Sequence, residues 1–176
     1  MQRLQTHTLR HILPATAAAL MLLCVLTAPA LAFDRAGAQT TMLRLINHAR
    51  TSRGLHALRA HDALQEAALS HSSDMLRCGY FAHSSLSGTG VDGRARRAGY
   101  SVGGWARWTV GEVIAWGASV HGSPQAVFKA WMHSSCHRSI ILGRRWRDVG
   151  VGCVSGRFRG MSGVALYTVD VGRRVQ

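Results

Sequence analysis

Lysine and glutamate are almost missing from this chain. Of 176 residues one is lysine, Lys129, and two are glutamates, Glu66 and Glu112, against 20 arginines. Arginine without lysine, amid abundant alanine and glycine, reads as a coding bias rather than as a dedicated polyanion binder. The formal net charge of +13 still suits an anionic partner such as phospholipid headgroups or wall polymers. Cysteine is sparse: Cys24, Cys78, Cys136 and Cys153 include no closely spaced pair of the kind that holds structural zinc. No G-x-S-x-G elbow occurs, which removes the commonest signature of a serine hydrolase. There is no internal repeat, long linker or second composition regime, so one domain is expected.

What is present begins with an address. "MQRLQTHTLR" carries Arg3 and Arg10 and no acid, and "ILPATAAALMLLCVLTAPALA" is apolar or small throughout. It ends in Ala30-Leu31-Ala32, with small residues where a signal peptidase reads. Residues 1–32 are therefore expected to be a cleaved secretory signal peptide, with no stable transmembrane segment after cleavage. The competing reading is an uncleaved anchor, since the apolar run approaches the length of a bilayer span. Leu23 is too bulky before Cys24 for lipid attachment. Export makes nucleic acid a poor partner, points to an extracellular or envelope location, and favours one disulfide among Cys78, Cys136 and Cys153, with the pairing open.

The remainder reads as helices followed by paired strands. "TTMLRLINHARTSRGL" places Met42, Leu43, Leu45, Ile46 and Ala49 on a helical period and stops at Gly54. "HDALQEAALSHSSDMLRCGY" predicts a second helix, capped by Asp62 and ended by Gly79. A Ser/Gly-rich loop and a short helical "RARRAGY" follow. "WTVGEVIAWG" predicts a short buried strand. "SPQAVFKAWMHS" predicts a helix with Ser123 as cap, Pro124 at its first position and Val127, Phe128, Trp131 and Met132 as its stripe. "RDVGVGCVSG" and "GVALYTVDVG" predict an antiparallel hairpin around "RFRG". Helices first and strands last argue an α+β fold.

Three residues stand out chemically. Glu112 lies in an apolar strand, where a carboxylate is costly unless paired. His83, in "YFAHSS", follows a helix. His137, in "SSCHRSIIL", starts a new turn beyond the break at Ser134-Ser135. His133, four residues before His137, falls on the far side of that break and lacks the glutamate that follows the first histidine of a zinc helix. Tyr80, Phe81, Trp116 and Trp131 read as core. Trp105, Trp108 and Trp146, set among arginines, are candidates for a lipid interface or for the core.

These segments resemble one family in order. "YFAHSS", "GEVIAWG", "AWMHSSCHRSIIL" and "DVGVGC" follow opening helices that contain "RTSRGLHALRAHDAL". The chain resembles the CAP superfamily of cysteine-rich secretory, antigen 5 and pathogenesis-related class 1 proteins, in its bacterial SCP-like branch, over about residues 40–172. The resemblance implies an α-β-α sandwich with a small antiparallel sheet. It implies a cleft formed by His83, Glu112 and His137, in which His83 and His137 would hold zinc or another divalent metal. Residues 33–39 would form a short segment ahead of the domain. The chain departs from the family in three ways. The second glutamate of many members has no counterpart, Val113 replaces an asparagine beside Glu112, and Cys136 replaces a glycine before His137. The expected role is that of a secreted, monomeric, non-catalytic binding module for lipid, cell-wall or macromolecular ligands. The alternatives are a metal-assisted hydrolase of peptide or cell-wall material with Glu112 as its base, and a structural envelope protein.

Overall fold

The structure, a computed structural model, describes residues 33–101 and 103–176; the expected signal peptide lies outside these. Helix α1 (Arg35–Thr51) opens the fold. The Asp34 carboxylate accepts from the Gly37 amide at 2.9 Å and caps the first turn. The helix thus takes in residues 35–39. Met42 and Ile46 fall on its inward face and are fully buried.

A two-residue strand, β1 (Arg59–Ala60), leads into α2 (Asp62–Cys78). Asp62 is the first helical residue rather than the cap: His61 holds the cap position and makes no side-chain capping bond. Gly79, at φ +71°, ends the helix in the left-handed conformation that suits glycine. Helix α3 (Val91–Arg97) is short, and the long strand β2 (Arg107–Ala118) follows it. One 3₁₀ turn leads to α4 (Pro124–His133). The Ser123 hydroxyl accepts from the Ala126 amide, and Val127 and Trp131 are buried. Ser134 breaks the chain direction before α5 (Ser135–Ile141), as expected from the sequence.

The hairpin is present as β3 (Asp148–Phe158) and β4 (Met161–Val175). Its turn residues Arg159 and Gly160 both have positive φ, the pattern of a type I′ connection. The sheet order is β1-β3-β4-β2. The three long strands are antiparallel, and β1 adds a parallel edge to β3 that makes the sheet mixed.

Helices cover both faces of this α+β fold. Cys153, Val151, Tyr167, Val169 and Val113 pack with α1, α4 and α5 on one side. The α2 side shows a closer approach. A Cβ on Gly150 or Gly152 would lie 2.1–2.2 Å from the backbone of Leu64 or Ala68, so two glycines let α2 lie directly on β3. The layers set Cys78 apart from the other two thiols. Cys153 is buried on the α1 side, Cys78 ends α2 on the other, and Cys136 is exposed on α5. All three are free, so the expected disulfide does not form in this arrangement. Trp146 is core, with its indole donating to the Ile140 carbonyl at 2.8 Å, which settles its reading against a lipid-facing role.

Candidate functional site

Strand alternation aims Glu112 and Val113 at opposite faces. Val113 joins the α1-side core, so its replacement of a polar residue removes nothing that could touch Glu112. Glu112 points to the α2 side, and its side chain is 2% exposed. Arg94 of α3 donates to Oε2, and the His83 Nδ1–H donates to Oε1 at 2.7 Å. Arg94 also donates to the His83 and Thr89 carbonyls at 3.0 and 2.9 Å, so it ties the loop that carries His83 to the strand. A buried carboxylate with two charge-assisted partners meets the requirement that the sequence raised.

The carboxylate does not stand alone. Asp170 on β4 is its direct cross-strand partner and is wholly buried. Burial first, and then the neighbouring Glu112 charge, hold the Asp170 carboxyl far above its ordinary range. Both causes favour its neutral form. Among the described residues neither of its oxygens has a hydrogen-bond partner. The chain does possess a second acid beside Glu112, then, and it is an aspartate. His71 of α2 completes the cluster. Its Nε2–H donates to the Ala82 carbonyl at 2.9 Å, and burial pushes its pKa down, keeping the ring neutral.

His83 connects this cluster to the surface. Its ring is 62% exposed, and the hydrogen bond to Glu112 is the main cause that raises its pKa. Glu112 thus favours the imidazolium and orients the ring with Nε2 outward. Across a cleft of about 420 Å³ stands His137, lowered in pKa by burial and then by the His83 charge. Its Nδ1 is 2.7 Å from the Ser134 hydroxyl. Phe81, Ile114, Trp116 and Trp131 wall the same cleft. Phe81 and Trp116, expected in the core, are half-buried wall residues. The volume lies within the ~300–1,000 Å³ of small-molecule sites.

The cleft brings His83 and His137 together, while Glu112 reaches it only through His83. His133 stays outside, with its Nδ1 against its own helix at the Lys129 carbonyl. Each cleft imidazole is anchored through Nδ1, as metal-binding histidines usually are. Both Glu112 oxygens are engaged, however. Among the described residues no three His, Cys, Asp or Glu side chains gather closely enough to hold an ion. Two imidazoles fall short of the three protein ligands of a catalytic zinc site.

Residues 43–169 match the family model of the cysteine-rich secretory protein family, CAP. The uncharacterized protein YkwD of Bacillus subtilis is 34% identical over 113 residues, which are 64% of this chain and 41% of YkwD. The chain therefore spans well under half of that relative. A solved extracellular protein of Bacillus anthracis containing an SCP domain superposes with a TM-score of 0.64 at 27% identity, over 79% of this chain and 41% of that one. An outer surface protein of Borrelia burgdorferi gives 0.65 at 18% identity, over 78% and 93% of the two chains, a likeness of fold alone.

Proposed function

This chain belongs to the cysteine-rich secretory protein family, and we propose that it acts as a secreted, non-catalytic binding module whose cleft takes an amphipathic ligand with an acidic head. One observation carries the reading. The cleft is apolar along Phe81, Ile114, Trp116 and Trp131, and polar at one end, where a charge-stabilised His83 presents Nε2–H beside His137. The aromatic wall would cover an acyl or similar body, and His83 would donate to a carboxylate or phosphate oxygen. Export rests on the signal-like leader and on the extracellular description of the Bacillus anthracis relative.

Hydrolysis is the alternative. It would need a base and an activated water at the cleft. Glu112, enclosed by Arg94, His83 and Asp170, would act there only through the His83 ring.

The test is titration calorimetry of chelator-treated residues 33–176 with decanoate and with decanol, alongside His83→Ala and Trp116→Ala. Decanoate should bind at least tenfold more tightly than decanol, and His83→Ala should abolish that preference. Trp116→Ala should weaken both ligands. The sign of the pH effect follows from His83, whose raised pKa keeps it charged below about 6.5 and beyond. Decanoate affinity should be full between about pH 5.5, where the ligand's own carboxyl is ionised, and 6.5, and fall as pH rises through the folded-state pKa of His83. Equal binding of acid and alcohol would remove His83 from the reading. Zinc titrated into the same three proteins and His137→Ala decides the metal expectation. Saturable one-to-one binding lost in both histidine variants would put metal first.

A further inference from the structure

The strands gather arginine at one end of the sheet. β1 enters at Arg59, paired with Asp148 at the start of β3, and Asp148 in turn pairs with Gly172 near the end of β4. β2 starts at Arg107, opposite Val175. The loop into β3 runs Arg144-Arg145-Trp146-Arg147. Arg59, Arg107, Arg144, Arg145, Arg147 and Arg173 thus lie at one end of the molecule, and all six are exposed.

Little opposes this charge. Asp148 is buried there and already held by the Tyr100 hydroxyl at 2.9 Å, Arg59 at 3.4 Å and Arg174 at 3.6 Å. Asp62, three residues beyond Arg59, is the nearest exposed acid along the chain. Toward the other end of the sheet lie Arg157 and Arg159 around the hairpin turn and Arg77 at the end of α2.

Aromatic rings border the basic end. The Arg174 guanidinium lies 4.8 Å from the Trp105 ring and 5.0 Å from Tyr100. Trp105 and Trp108, on either side of Arg107, are half-buried, so each keeps part of its ring accessible. Arginine supplies fixed positive charge with several donors per phosphate. Indole rings partition to the headgroup level of a bilayer. A soluble polyanion needs the first property and has no use for the second.

We propose that this end of the sheet docks the domain onto an anionic phospholipid surface, with Arg107, Arg144, Arg145 and Arg173 on the phosphates and Trp105 at the headgroup boundary. The surface is separate from the His83–His137 cleft, so it stands whether or not the cleft binds an amphiphile.

Residues 33–176 would be sedimented with vesicles of phosphatidylcholine alone and with 30 mol% phosphatidylglycerol. Partition should require the anionic lipid and fall steeply between about 50 and 500 mM salt, as screening shortens the reach of the charges. Arg144→Glu with Arg173→Glu should lower partition at least tenfold. Arg77→Glu with Arg157→Glu makes the same change in net charge at the far end and should alter it less than twofold. Near-ultraviolet circular dichroism would confirm that each pair is folded. Trp105→Ala should lower partition while leaving its salt dependence intact. Equal losses from the two charge pairs would reduce the effect to net charge and overturn the docking face. Retention on an anionic polysaccharide matrix without partition onto vesicles would overturn the bilayer in favour of a wall polyanion.

Discussion

Asp170 places the largest electrostatic demand on the fold. It is a buried carboxyl facing a second carboxylate, and burial and that neighbouring charge both raise its pKa. A group whose folded pKa is raised binds its proton more tightly in the native state. Its favourable contribution is therefore complete below the unfolded value of about 3.8 and is lost as pH climbs from there toward the folded pKa. Asp170→Asn is nearly the same shape and carries no proton to lose. The variant should match the parent near pH 4 and become progressively more stable than it toward pH 7, by up to about 1.4 kcal/mol per pH unit. Urea unfolding at a series of pH values measures this. A stability difference that stays flat with pH would mean that Asp170 is ionised in the native protein.

The same argument that singled out Glu112 applied to Asp170, a lone acid in the apolar run "LYTVDVG". His71 also left a trace, since it falls in phase with Leu64, Ala67, Ala68 and Met75 on the buried stripe of α2. Arg94 left none. It is one of three arginines in a seven-residue helix, and only tertiary packing decides which of them turns inward to Glu112.

Helices and long strands were legible from periodicity, because a face that must be buried repeats every 3.6 or 2 residues. The elements that escaped notice have no such repeat. β1 is two residues long, too short for alternation to register, and the parallel edge that it adds was not anticipated. Gly150 and Gly152 read as ordinary strand residues in "DVGVGC", yet they set the distance between two layers. Gly152→Ala would place a methyl group against the Ala68 backbone, an obstruction that no rotamer change relieves. Overpacking of this kind costs about 3 kcal/mol when backbone must move. The loss should appear as a lower urea midpoint at an unchanged slope. Gly156→Ala, which would meet only the flexible end of Leu76, should lose far less. Equal losses at the two sites would show that α2 is not seated directly on the strand.

At the scale of the whole molecule, charge separates two jobs. The buried cluster behind the cleft is a nearly closed set: Arg94 against Glu112, with burial shifting Asp170 and His71 toward their neutral forms. The sheet end does the opposite, leaving arginines unpaired beside one spent aspartate. Exposed like charges repel over a Debye length of about 10 Å at 0.1 M salt, and added salt screens that repulsion. A chain of formal charge +13 with few surface ion pairs, of which Arg77–Asp74 is one, has more repulsion than attraction to lose. Raising sodium chloride from about 20 to 300 mM should therefore raise the Tm of residues 33–176 by a few degrees. The Arg144→Glu, Arg173→Glu pair should show a smaller rise, because it removes part of the repelling set. A Tm that falls with salt would mean that exposed ion pairs dominate the surface. The cationic end would then already be neutralised within the protein and not free to meet an anionic partner.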